Sequence, residues 1–270
     1  MKNKAKTLFI FEGGKTEDKF VEKLEANFLG DRHAIKCVYD AEIYQLYKTI
    51  KAEDGFFDIV SLLKDRKEEN AEVLKEYERD SFAYIYLFFD YDTHSTMADD
   101  YKIEEMLTFF NDETENGLLY ISYPMVEAMR HFKDIDSFKD LTVKCKRDKC
   151  PYIEDCQEQE SCLVEPHYKK FSATDSYPQY TNVNKYTKEV WQTLIFAHLC
   201  KANYLVNDDF TLPSSLICQR IIFAKQLEKH INKRCPEVAV LGAFPLYVLD
   251  YYGYDRTKQK LQPEETFNLK

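Results

Sequence analysis

The stretch Tyr84-Ile-Tyr-Leu-Phe-Phe-Asp-Tyr-Asp92 constrains the fold more than any other part of the chain. Six apolar or aromatic residues run without alternation, which marks a strand buried on both faces, as in a parallel sheet with helices on each side. Asp90 and Asp92 close it, one residue apart. Residues i and i+2 point the same way while the backbone stays extended, so both acids can face one spot. In open α/β sheets ligands sit in the crevice beyond the carboxyl ends of the strands. Two carboxylates that close repel unless a proton or a cation lies between them, and a divalent ion is the usual solution.

The surrounding pattern supplies the sheet that such a strand needs. Residues 7–11 form a short apolar strand closed by Glu12, Gly13 and Gly14, and residues 15–28 place Phe20, Val21, Leu24 and Phe28 at helical spacing. Thr16 is the expected N-cap, with Glu17 and Asp18 in the first turn, where the helix dipole favours acids. A second strand is expected over 34–39, helices over 43–50 and 57–77, the central strand over 82–89, and a helix over 99–110. Asn116-Gly117 makes a turn into a strand over 118–122, Pro124 ends it, and residues 125–132 fit a short helix. Strand and helix alternate over 7–132, which predicts an α/β layer fold with a mainly parallel sheet.

Residues 134–182 differ in kind, being polar and poor in aliphatic side chains. From residue 183 the periodicity is helical, over 191–199, 216–231 and 238–252, and the polar tail from Asp255 is expected to fray. The expected division is therefore an α/β catalytic domain (1–133), a cysteine-bearing insertion (134–182) and a helical C-terminal region (183–270).

The insertion holds Cys145, Cys150, Cys156 and Cys162 within a short polar stretch, with His167 close behind. Tetrahedral thiolates suit a structural Zn²⁺, and a segment without a core needs such a staple. An iron–sulfur cluster and four free thiols are the other readings, because the spacings are wider than those of zinc knuckles. Lys144, Lys146, Arg147 and Lys149 lie against the cluster, but Glu154, Asp155, Glu158 and Glu160 offset them. Cys37, Cys200, Cys218 and Cys235 sit among apolar neighbours and are expected in the core.

No apolar run approaches the length that spans a bilayer, and the basic start lacks the apolar stretch of a secretory signal, so a cytoplasmic protein with reduced thiols is expected. The net charge of −10 argues against broad coating of nucleic acid. It leaves a nuclease open, because catalytic carboxylates count as negative until a metal binds them. Residues 185–234 carry eight Lys/Arg against four Asp/Glu, which is either a solvated face or a surface for a phosphate backbone.

Acids follow three of the expected strands: Glu12, then Asp90 and Asp92, then Glu127, with Glu17 one turn into the first helix. If the strands are parallel and adjacent, these groups gather at one edge. Hard oxygen ligands of this kind suit Mg²⁺ or Mn²⁺, which stabilise both the attacking and the leaving oxygen of a phosphodiester. The plainer readings are that Asp90 and Asp92 cap the following loop and helix, and that Glu17 and Glu127 are ordinary helix acids.

Residues 8–17 (Leu-Phe-Ile-Phe-Glu-Gly-Gly-Lys-Thr-Glu), Leu87-Phe-Phe-Asp-Tyr-Asp92 and Ser122-Tyr-Pro-Met-Val-Glu127 together resemble the Toprim domain of topoisomerases, primases and OLD-family nucleases. The resemblance covers residues 7–132 and is nearest to the nuclease branch, which includes Toprim-type nucleases of phage defence. It implies a Toprim-like fold and a Mg²⁺-dependent nuclease acting on DNA or RNA. Glu12 would be a metal ligand or general acid/base, and Asp90 and Asp92 the principal ligands. Glu17 and Glu127 would hold a second ion, and an ATPase partner is implied. The usual pattern is Glu-Gly-x-Thr-Glu, and here the extra Gly14 moves Glu17 by one helical position. The competing motif is the Asp-x-Asp nucleophile pair of haloacid-dehalogenase-like phosphatases, which leaves Glu12 without a role. A non-catalytic module of the same fold is the third reading.

Overall fold

A computed structural model describes residues 6–14, 16–29, 34–53, 57–93, 95–145 and 168–262. The main sheet is built from β1 (Lys6–Phe11), β2 (Ile35–Val38), β3 (Phe82–Asp90), β4 (Asn111–Asp112) and β5 (Gly117–Ser122), in the order β2-β1-β3-β5-β4. β1 runs parallel to β2 and β3, and β3 parallel to β5. Only β4 is antiparallel. The expected α/β class with a mostly parallel sheet is the one observed, and β4 is too short to leave a periodic signal.

The crossovers are α1 (Glu17–Leu24, prolonged by a π-helical turn at Glu25–Leu29), α2 (Ile43–Ala52), α3 (Ile59–Arg66), α4 (Glu68–Val73) and α5 (Asp100–Phe109). The single helix expected over 57–77 is broken at Lys67, which is extended at φ −150°. Asn70 explains the break. Its side chain accepts from Val38 N–H (3.1 Å) and donates to the carbonyls of Val38 (2.8 Å) and Leu63 (3.2 Å), serving the otherwise open edge of β2.

The chain continues through α6 (Ile135–Lys139), β6 (Thr142–Lys144), α7 (Tyr168–Thr174), α8 (Pro178–Thr181), α9 (Lys188–Asn207), α10 (Gln219–Gln226), β7 (Glu237–Ala239) and α11 (Ala243–Leu261). Two expectations are corrected here. The start of the helix expected over 238–252 is strand β7, which pairs antiparallel with β6 from the polar insertion. The tail does not fray at Asp255: α11 runs to Leu261, with Thr257 and Leu261 buried. The Lys260 carbonyl accepts from Gln192 Nε2 at 2.7 Å, and Lys260 Nζ reaches the Phe28 carbonyl at 3.1 Å, so polar composition there marks one helix face only.

α11 lies on the sheet. Phe244 and Tyr247 meet an aromatic layer made by Phe9, Tyr86, Phe88 and Tyr120, with Phe88–Phe244 and Tyr86–Tyr247 centroids 4.8 and 4.9 Å apart. These rings are packing groups, as their helical spacing implies. Cys37 and Cys200 are buried as expected, but Cys218 is exposed and Cys235 half-buried. Cys218 holds the N-cap position of α10, at a helix end rather than on an inner face. Cys145 is buried, while Cys150, Cys156, Cys162 and His167 lie outside the described residues. Among the described residues no helix is long and apolar enough to cross a membrane.

Candidate functional site

From β1 the sheet grows to one side through β2 and to the other through β3, so chain order reverses between β1 and β3. A crevice opens at such a switch point, beyond the carboxyl ends of the strands. Glu12 and Asp90 flank it. Sheet hydrogen bonds fix both backbones: Glu12 N–H donates to the Phe88 carbonyl (3.1 Å), Asp40 N–H to the Glu12 carbonyl (2.9 Å), and Tyr91 N–H to the Ser122 carbonyl (2.9 Å). Asp90 pairs with Ser122 across β3 and β5, which places the turn carrying Glu127 beside it.

The side chains close the link. Asp90 N–H donates to Glu12 Oε2 at 3.0 Å, although the two residues are 78 positions apart. Asp90 is 7% exposed and its carboxyl is pushed well above the usual range, first by burial and then by the charges of Glu12, Glu17 and Glu127. Burial raises Glu12 to about 8, with Asp92, Glu17 and Glu42 adding repulsion against the hydrogen bond from Asp90. Glu17 is raised too, by burial and by Glu127. All five acids singled out in the sequence therefore act on one another across this crevice.

Some local roles differ from expectation. Thr16 occupies the N-cap of α1 but makes no capping bond; Glu17 instead accepts from Gly13 N–H at 3.2 Å, bridging the glycine turn. Asp99, not Asp90 or Asp92, caps α5, accepting from Tyr101 N–H at 3.0 Å. Glu127 sits in a 3₁₀ turn (Val126–Arg130) where a short helix was expected. It is 1% exposed, and its Oε2 has no hydrogen-bond partner. Lys15 and His94 lie outside the described residues.

Two residues of this site escaped the sequence analysis. Glu42 lies at the N-cap of α2, four residues past β2, and its Oε2 is also buried without a partner; an acid shortly after a strand was the available signal. Lys169 at the start of α7 gave none. Its Nζ lies 3.3 Å from Glu127 Oε1, a cation brought to the cluster from outside the α/β layer. α7 is held there by Arg130, which donates to Ser172 Oγ (3.1 Å) and to the Lys169 carbonyl, and by His131. His131 contacts Tyr168 OH and Asp175 Oδ2, each at 3.1 Å, and burial lowers its pKa against the pull of Asp175. Lys169→Met is expected to lower stability in EDTA by about 1–2 kcal/mol, because a buried carboxylate loses its cation. Urea denaturation checks this, and an unchanged midpoint means the pair is only a surface contact.

The donor set suits a hard divalent cation: carboxylate oxygens only, partly desolvated, with two orphaned atoms in reserve. Among the described residues no three such side chains are already drawn together at ion-binding spacing. The acids face one crevice without meeting at a point. Beside Asp92 a cavity of about 10 Å³, bordered by Tyr91, Pro124, Lys144 and Tyr168, is large enough for one water. No family model, characterised protein or solved structure matches the chain.

Proposed function

We propose that the protein is a Toprim-like, Mg²⁺- or Mn²⁺-dependent nuclease that hydrolyses phosphodiester bonds of nucleic acid. One observation carries the reading: Glu12, just past β1, and Asp90, at the end of β3, are hydrogen-bonded at the switch point of a parallel sheet, where four further acids, Glu17, Glu42, Asp92 and Glu127, repel one or the other. Burying mutually repelling carboxylates is costly, and their ordinary use is to grip a cation. The order strand–Glu–Gly, strand–Asp-x-Asp, strand–Ser–Glu and the mostly parallel sheet are compatible with the Toprim resemblance.

Asp90, Asp92 and Glu12 would hold the catalytic ion, with Glu127 and Glu17 at a second. A divalent ion supplies Lewis acidity to the phosphate and acidifies a water. Before an ion neutralises it, Glu12 titrates near 8 and can accept a proton close to neutral pH. The backbone N–H of Val126 favours the charged form of Asp90 and offsets part of the rise that burial causes. Work beside an ATPase partner in phage defence and a Zn²⁺ site at Cys145, Cys150, Cys156 and Cys162 belong to the same proposal.

The test incubates wild type and Asp90→Ala with labelled DNA, RNA and nucleotides, in Mn²⁺ or in EDTA. Metal-dependent strand cleavage that the variant loses is the expected outcome. Phosphate release without strand cleavage indicates a phosphatase, and inactivity throughout indicates a non-catalytic module.

A further inference from the structure

Helix α9 carries a lysine that the acid cluster does not use. Lys201 is 2% exposed, and its Nζ donates to the carbonyls of Phe138 (2.9 Å) and Leu141 (2.5 Å) beside the Phe138 ring. No carboxylate pairs with it among the described residues. An ammonium taken out of water onto two carbonyls, with only the charge of exposed Asp140 nearby to offset it, is costly, and burial pushes this amine well below its usual range. An ammonium has three N–H donors, and the two carbonyls occupy two.

Lys201 also lines a cavity of about 200 Å³ between α9, the β6–β7 pair and the π-helical turn Leu227–Ile231. Lys139, Lys229 and His230 line it too. The acids on its wall, Asp140 and Asp208, are exposed, and Asp208 is already paired with Lys229 at 2.6 Å. The lining is thus cationic in a chain whose net charge is −10. Its volume is that of about six waters, enough for an oxyanion with a short organic group.

We propose that this cavity binds a small oxyanion, a phosphate monoester or a carboxylate, with Lys201 as the buried counter-charge and Lys139 and Lys229 as the outer cations. Binding supplies a negative hydrogen-bond partner, which Lys201 does not have among the described residues. The site is independent of the nuclease proposal, since none of its lining residues belongs to the acid cluster.

The experiment is calorimetric titration of the full chain in EDTA with inorganic phosphate, ribose 5-phosphate and succinate. At least one is expected to bind saturably, with affinity reduced about tenfold or more in Lys201→Met. Which probe binds separates the phosphate source from the carboxylate source. Should Lys201→Met not fold, the half-buried pair Lys139→Ala/Lys229→Ala carries the test and must weaken binding. No saturable heat from any probe, or variants that bind as tightly as wild type, overturns the proposal.

Discussion

Asp90→Asn raises the stability of the protein in EDTA at pH 8 and removes its response to Mn²⁺. The folded-state pKa values of Asp90 and Glu12 are raised, so between about pH 4.5 and 8 the folded chain holds protons that the unfolded chain has released. Their stabilising contribution is complete below the unfolded carboxyl pKa and is lost as pH rises towards the folded one. Wild type in EDTA therefore loses stability across that window. Asn carries no charge at any of these pH values, so the variant's profile is flatter. A divalent ion at a hundred times its Kd restores about 2.7 kcal/mol to wild type and little to the variant. Thermal melts at pH 5 and 8, with and without Mn²⁺, give all four values. An Asn variant less stable than wild type at pH 8 in EDTA makes Asp90 a structural group instead.

Phe88→Ala is expected to cost about 3–5 kcal/mol, among the largest effects of any single truncation in this core. The ring stacks on Tyr120 (5.6 Å between centroids) and meets Phe9 (5.4 Å), Phe11 (5.7 Å) and Phe244 (4.8 Å). It therefore joins β1, β3 and β5 to α11, and neighbours that are themselves rings of the sheet cannot collapse into the gap. Because Asp90 is two residues further along the same strand, the variant also tests whether the crevice depends on this packing. Urea denaturation measures the loss; a change below about 1 kcal/mol means the aromatic layer contributes far less than its burial implies.

The parallel layer was legible because doubly buried strands write continuous apolar runs, and β3 does so over residues 85–89, although Tyr84, expected to be buried with them, is exposed. The acids are legible for a related reason: a strand end fixes where the next polar side chain emerges, which puts Glu12 and Asp90 at the same edge of the sheet. What stayed hidden depended on long-range pairing. β6 and β7 are three residues each and exist because they find one another, which periodicity cannot register. Asn70 breaks a helix to serve a strand 32 residues earlier. Lys169 reaches Glu127 only because α7 packs on the 3₁₀ turn, and nothing in its own neighbourhood marks it. Thr16 shows the reverse: a residue suited to capping makes no capping bond because its own backbone is already helical (φ −91°, ψ −46°).

Anomalous diffraction from crystals soaked in Mn²⁺ tests the central claim most directly. A peak is expected in the crevice between β1 and β3, within direct coordinating distance of carboxylate oxygens of Asp90 and Glu12. Density for Mn²⁺ only at other acids, with Glu12 still accepting from Asp90 N–H, contradicts it.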